Sequence, residues 1–248
     1  MNYFDTKAYL NEYYSEVSPE NKAILEFFAE VAQRNISRKP RHLELGCGPT
    51  IYQVLSIAPQ VCEIVYTDGF QESLDEIKRW LNGHEQSFNW NKFTHATLSL
   101  ENGKKPSEHE RNEREDHVKS KIRKHDILDI SNADAISDYM AKNGPFGSVS
   151  SVFALEVPAK DNDHLESLLQ AIYNGLPSGG VFNLVMVEGG KEYKVGETYL
   201  RNLKIGQDEI KNMLTKVGFK VEKAILRHIS ADRDDEGYKG IMMISILK

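Results

Sequence analysis

The 248-residue chain has two cysteines, two tryptophans and no apolar run near the ~20 residues that span a bilayer. Cys47 and Cys62 make neither a disulfide framework nor a metal cluster, so a reducing cytoplasm and no metal are expected. The N-terminal stretch carries Asp5, Glu12 and Glu16 and does not read as a signal peptide. A basic excess is also missing. Lys and Arg number 31 against 37 Asp and Glu, a formal net charge of −6, so nucleic acid is not an expected partner, and without a spanning run neither is a membrane. There is no Pro-rich linker and no internal repeat, and the length suits one α/β domain over residues 1–248.

What is present centres on Arg41-His42-Leu43-Glu44-Leu45-Gly46-Cys47-Gly48. A short apolar run, an acid and Gly-x-Gly read as a first strand and a tight turn of a nucleotide-binding α/β unit. The dinucleotide fingerprint fails, because Ile51 stands where its third glycine belongs, and no Lys completes a P-loop. A second apolar run, Glu63 to Thr67, ends in Asp68, an acid suited to two ribose hydroxyls. A Gly turn without phosphate-binding features beside such an acid suits a nucleoside lacking phosphates, of which S-adenosylmethionine (SAM) is an example.

The stretch Gly46-Cys47-Gly48-Pro49-Thr50-Ile51-Tyr52-Gln53 resembles a signature of the nicotinamide, phenylethanolamine, indolethylamine and thioether methyltransferases. Phe4 to Tyr14 is similar to that family's F-x-x-x-x-Y-L-x-x-Y-Y opening. Phe88-Asn89-Trp90, Leu100-Glu101-Asn102-Gly103, Leu155-Glu156 and Val195-Gly196-Glu197 follow in the family's order. The resemblance implies a Rossmann-like class I methyltransferase: a mostly parallel seven-stranded sheet with an antiparallel last strand and helices on both faces. Residues 1–38 would form a helical lid over a core of 39–248. It implies SAM as cofactor, S-adenosylhomocysteine as product, a small-molecule amine as substrate and a monomer.

Cofactor contacts are then expected from Tyr9, Tyr14, Glu44, Gly46, Gly48, Pro49, Thr50, Tyr52, Asp68, Gly69, Ser73, Asp126 and Ile127. Asp126 and Ile127 match the family's adenine-contacting pair. Glu156 matches its substrate-side acid. Glu188, Tyr193, Asp235 and Glu236 fall near other substrate contacts, and Glu156 and Glu188 are the catalytic candidates. Ser73 replaces a common Asn, His125 a common Cys, and 188–202 does not reproduce the nicotinamide pocket.

Along the chain, Asp5 to Tyr14 reads as a helix, and Ser18-Pro19 starts a second with Ile24, Phe27, Phe28 and Val31 on one face. A helix after Gly48 carries Tyr52, Val54 and Leu55, and another spans Ser73 to Leu81. Gly103 to Lys124 is a solvated charged segment that Val118 and Ile122 can pin. Strands are expected up to Leu128, over Gly147–Leu155, over Val181–Val187 and, antiparallel, over Phe219–Ile229 and Gly240–Leu247. Helices are expected over His164–Leu176 and Gln207–Val217.

Methyl transfer from a sulfonium needs alignment and a dry site, and a protonated amine must also lose a proton. Acids at the carboxyl ends of strands four and five, Glu156 and Glu188, can hold the cation and take that proton. The competing roles are transfer to sulfur, selenium or oxygen on the same fold, and SAM binding without turnover. A base methyltransferase is disfavoured, because Phe153-Ala154-Leu155-Glu156 lacks the Asn/Asp-Pro-Pro-aromatic run.

Overall fold

The computed structural model describes residues 4–33, 40–231 and 237–248. One sheet runs in the order β3 (Ile122–Ile127), β2 (Glu63–Asp68), β1 (Arg41–Leu45), β4 (Ser148–Val152), β5 (Val181–Glu188), β9 (Gly240–Leu247) and β8 (Ile225–Ser230). The first five strands are parallel, and β9 is antiparallel to both of its neighbours. Parallel neighbours require crossovers. These are α3 (Gln71–Leu81), α4 (Asn91–Asn102) and α5 (Glu108–Lys121) between β2 and β3, then α6 (Ala133–Asn143) and α7 (Asn162–Gly175).

Each sheet face has its own core. Leu43, Leu45, Val149 and Phe182 pack under α6, α7 and α8 (Gln207–Val217). Ile64, Tyr66, Val185 and Met243 pack under the other helices, including α1 (Thr6–Tyr14) and α2 (Pro19–Ala32). The expected cap at Ser18 forms, its hydroxyl accepting from Asn21 N at 3.0 Å, and Asp5, expected inside the first helix, caps it instead, its carboxylate accepting from Ala8 N at 3.0 Å.

Four local expectations change. After Gly48 there is no α-helix, only 3₁₀ turns over Tyr52–Val54 and Ala58–Gln60. Thr50 donates to the Cys47 carbonyl (2.9 Å), and Gln53 donates to the Thr50 carbonyl (3.2 Å), so side chains there compete with helical bonding. The fourth strand stops at Val152, because Phe153 takes a left-handed φ of 54° and turns the chain toward Glu156. The last antiparallel pair begins at Ile225 rather than Phe219, after a 3₁₀ turn over Val221–Lys223. Ile122, expected to pin the charged helix, instead opens β3.

Elements also appear where none was anticipated. The α4 helix buries Phe93, Thr94, Thr97 and Leu98, and α6 buries Ile136 and Met140. A two-stranded hairpin of β6 (Glu192–Val195) and β7 (Thr198–Arg201) stands outside the main sheet.

The Gly turn is packed unevenly. A Cβ on Gly46 (φ +67°) would lie 2.5 Å from Ala154 Cβ and 2.8 Å from Ile130 Cδ1, whereas one on Gly48 (φ +57°) meets nothing within 4 Å. Gly46→Ala should therefore suffer both overpacking and left-handed strain, losing about 2–5 kcal/mol. Gly48→Ala should lose only the strain, about 1–2 kcal/mol. Urea unfolding of the two variants checks the ordering.

Candidate functional site

The site is built at the carboxyl ends of β1, β2, β4 and β5, where open parallel sheets place ligands. Asp68 closes β2 and is 6% exposed. Its two carboxylate oxygens accept separately from Gly48 N and Phe70 N, both at 2.8 Å. Burial pushes its pKa up to about 6, against the lowering by those two N–H groups and the Ser73 hydroxyl. Each oxygen keeps a further acceptor site, so the residues present fit a ribose diol. Gly69 follows Asp68, and Leu128 N donates to the Asp68 carbonyl at 3.0 Å, which joins the ends of β2 and β3.

Glu44 is buried behind the Gly turn and meets His42 Nε2 at 2.6 Å. Cys47 is a small buried residue within the turn, and burial raises its thiol pKa well above the ordinary range. Pro49, Thr50 and Tyr52 are buried with it.

Glu156 is reached through the Phe153 turn and is 1% exposed. Val187 N donates to its Oε1 at 3.2 Å, and Leu203 N donates to its backbone carbonyl at 2.8 Å. Its Oε2 has no hydrogen-bond partner. Burial, opposed only by backbone N–H groups, lifts its pKa to about 7. No cation contributes to that balance. This is a buried carboxyl with a free oxygen at the end of the sheet.

The hairpin adds an aromatic wall. Tyr193 pairs with Leu200 across β6 and β7, and these two share a side with buried Val195. Burial raises the Tyr193 phenol, followed by the charge of Glu156 and by Tyr13 and Asp68, so this ring lies in electrostatic reach of both acids. The return strand is tied to the Glu156 segment, since Arg201 donates to the Lys160 carbonyl at 2.6 Å. The hairpin also meets α1, where the Tyr13 hydroxyl donates to the Lys194 carbonyl at 2.8 Å.

Helix α1 lies within a continuous run of rings. Phe4 stacks on Phe70 at 5.2 Å and meets Tyr9 at 5.3 Å; Tyr9 meets Tyr14, and Tyr14 meets Tyr52 at 5.1 Å and Trp90 at 5.7 Å. The Tyr9 and Tyr14 hydroxyls are 3.2 Å apart. Burial holds both phenols neutral, well above their ordinary pKa.

The remaining candidates separate. Asp126 is held by Lys124 Nζ at 2.7 Å and by the Tyr139 hydroxyl at 2.6 Å, while the neighbouring Ile127 is 49% exposed. Glu188 contacts His228 Nε2 at 2.8 Å and Gln207 Nε2 at 3.4 Å. Asp235 and Glu236 lie outside the described residues. Among the described residues no cluster of His, Cys, Asp and Glu could hold a metal, and no helix is long and apolar enough to cross a membrane. Leu200 and the hairpin escaped the sequence reading. The signal for them was a two-residue Gly196-Glu197 loop between alternating Tyr193/Val195 and Thr198/Leu200.

Known proteins similar to this chain are methyltransferases. Human phenylethanolamine N-methyltransferase is 26% identical over 180 residues, covering 72% of this chain and 62% of that protein. The chain thus spans less than two thirds of the phenylethanolamine relatives' length. Human nicotinamide N-methyltransferase is 24% identical over 228 residues, covering 90% of this chain and 84% of the relative. A SAM-dependent methyltransferase structure from Clostridium acetobutylicum superposes with a TM-score of 0.59 at 14% identity, covering 98% of both chains. A second structure, a DhpI complex with SAM, gives a TM-score of 0.58 at 14% identity, covering 98% of this chain and 94% of the other. The fold is therefore that of class I SAM-dependent methyltransferases. The model of the NNMT/PNMT/TEMT family matches residues 1–248, and the chain belongs to that family.

Proposed function

We propose that the protein is a SAM-dependent methyltransferase acting on the nitrogen of a small amine. The observation that carries this is Glu156: a fully buried carboxyl with a free oxygen, no cationic partner among the described residues and a pKa near 7, in electrostatic reach of the same tyrosine as Asp68. An uncompensated buried acid is costly unless a cation arrives. A substrate ammonium supplies one.

Bound SAM would supply a methyl group on a sulfonium, open to in-line displacement. Asp68 holds the ribose diol, and Asp126 and Ile127 border the adenine. Glu156 Oε2 accepts an N–H of the ammonium and takes its proton. The nitrogen lone pair freed by that proton loss would then be available to the methyl group that bound SAM would supply. Tyr193 and Leu200 wall the acceptor. Helix α1, with Tyr9 and Tyr14, serves as a lid that excludes water. The same reading takes residues 1–38 as the lid and 39–248 as the core of one domain, working as a monomer in the cytoplasm. Glu188 is a second acid for the acceptor in this reading, reached by exchanging His228 for the substrate cation. Calorimetry with SAM, then a screen of amines, thiols and hydroxyl compounds for S-adenosylhomocysteine release, tests the whole reading. Release with thiols alone would overturn it.

Three outcomes are expected. Asp68→Ala should weaken SAM binding by about 1.5–3 kcal/mol, as for a hydrogen bond to a charged group, and an unchanged dissociation constant would remove Asp68 from the ribose. Glu156→Gln should cost on the order of 10²-fold in kcat/KM for a cationic amine, with SAM affinity held within about 0.5 kcal/mol. Equal losses for neutral and cationic acceptors would show that Glu156 is no charge partner.

The third outcome concerns pH. The native Glu156 pKa of about 7 exceeds its ordinary 4.5, so the native state binds the proton more tightly than the unfolded chain. Its contribution to stability is complete below pH 4.5 and is lost as pH rises to about 7. Glu156→Gln should match the wild type in the acid range and exceed it above neutrality by on the order of 3 kcal/mol. Denaturant melts across pH measure this difference.

A further inference from the structure

Behind the Gly turn, the acid of Glu44-Leu45-Gly46-Cys47-Gly48 has a buried partner of its own. His42 is fully buried and Glu44 is 1% exposed. His42 Nε2 lies 2.6 Å from Glu44 Oε1, and His42 Nδ1 lies 2.9 Å from Ser148 Oγ. The backbone sets this up. His42 and Glu44 are two apart on β1 and so share a face, and Ser148 is the in-register partner of His42 on β4. Glu44 and Ser148 thus hold the ring from its two sides, and a proton on Nε2 would be donated to a carboxylate at Glu44.

Glu44 Oε2 has no hydrogen-bond partner. Its row across the sheet holds Tyr66, Ser150, Asn183 and Ser245, which offer hydroxyls and an amide, and, one strand beyond Tyr66, His125, whose pKa burial lowers. Glu44 stands two residues before Gly46, next to the end of β1, and acts electrostatically on Cys47 in the Gly turn and on Tyr52 after it. One oxygen is thus locked by His42 and the other is an open acceptor, although an unpaired buried acceptor is costly.

We propose that His42, braced by Ser148, is a positioning residue that fixes one oxygen of Glu44 and presents the other to the cationic aminoacyl end of the cofactor. This rests on the SAM reading above. It makes the recognition of that end depend on two residues, His42 and Ser148, that do not touch the cofactor.

The test compares two ligands that differ only in the aminoacyl end, S-adenosylhomocysteine and 5′-methylthioadenosine, by calorimetry on the full chain. His42→Leu should weaken S-adenosylhomocysteine by roughly tenfold or more, the size of a charge-assisted hydrogen bond, and leave methylthioadenosine within about twofold. His42→Gln, whose amide nitrogen can stand in for Nε2, should restore most of the loss, and Ser148→Ala should fall between. Equal weakening of both ligands, or no weakening, overturns the proposal. Wild-type protein that binds neither ligand overturns the SAM reading instead. Should His42→Leu not fold, ¹⁵N-histidine NMR of the wild type decides. A protonated Nε2 whose N–H signal shifts with S-adenosylhomocysteine and not with methylthioadenosine supports the proposal. A bare Nε2, or equal shifts with both ligands, overturns it.

Discussion

Burying a carboxylate without a cation is among the costliest things a fold can do, and this chain does it at Asp68 and again at Glu156. Both acids are steadied chiefly by backbone N–H groups, from Gly48 and Phe70 at Asp68, where the Ser73 hydroxyl adds to them, and from Val187 at Glu156. Such donors are free only where a strand or its neighbour has ended: Gly48 and Phe70 follow β1 and β2, and Val187 lies in β5 beyond its last pair with β4, Val185 with Val152. The acids therefore have to stand at the open end of the sheet. The parallel arrangement of β1 to β5 brings those ends together on one side.

The same constraint accounts for the aromatic cover. Rings exclude water without offering a positive charge, so they keep the acids desolvated and in want of a cation. The run from Phe70 through Phe4, Tyr9 and Tyr14 to Tyr52 and Trp90 ties the N-terminal helix to the end of β2 and to the Gly-turn segment at once. The hairpin supplies the remaining wall, and its return strand leads directly into Leu203, whose N–H holds the Glu156 backbone. Cover and acid are mechanically one assembly.

Much of this was legible in the sequence, for physical reasons. The apolar runs ending in Glu44 and Asp68 and the glycines between them leave few alternatives, because period and steric freedom act locally. The cap at Ser18 is likewise local. What stayed hidden depends on contacts between distant residues or on competing local bonds. Gln53 and Thr50 turn a helical pattern into 3₁₀ turns by bonding to nearby carbonyls. The α4 segment is rich in Asn, Thr, His and Ser, poor helix formers, and is held by burial of Phe93 and Leu98. That Glu156 would be fully buried could not be read from a strand-end position, since it meets segments distant in sequence: Val187, Leu203 and, on the hairpin, Tyr193.

The two strand-end acids differ electrostatically more than they differ in position. Glu188 closes β5 much as Glu156 follows β4, but a glycine lies beside it on β9. A Cβ at Gly240 would fall 2.6 Å from His228 Nε2, so only glycine lets that ring reach across to Glu188. Glu188 thereby has a partner that can bear positive charge and a second donor in Gln207. Glu156 has neither. A cation entering this site gains most by meeting the acid that has no partner, whereas at Glu188 it must first displace His228. The chemistry of the pocket is thus set as much by which acid the sheet leaves unpaired as by which acids the sequence contains.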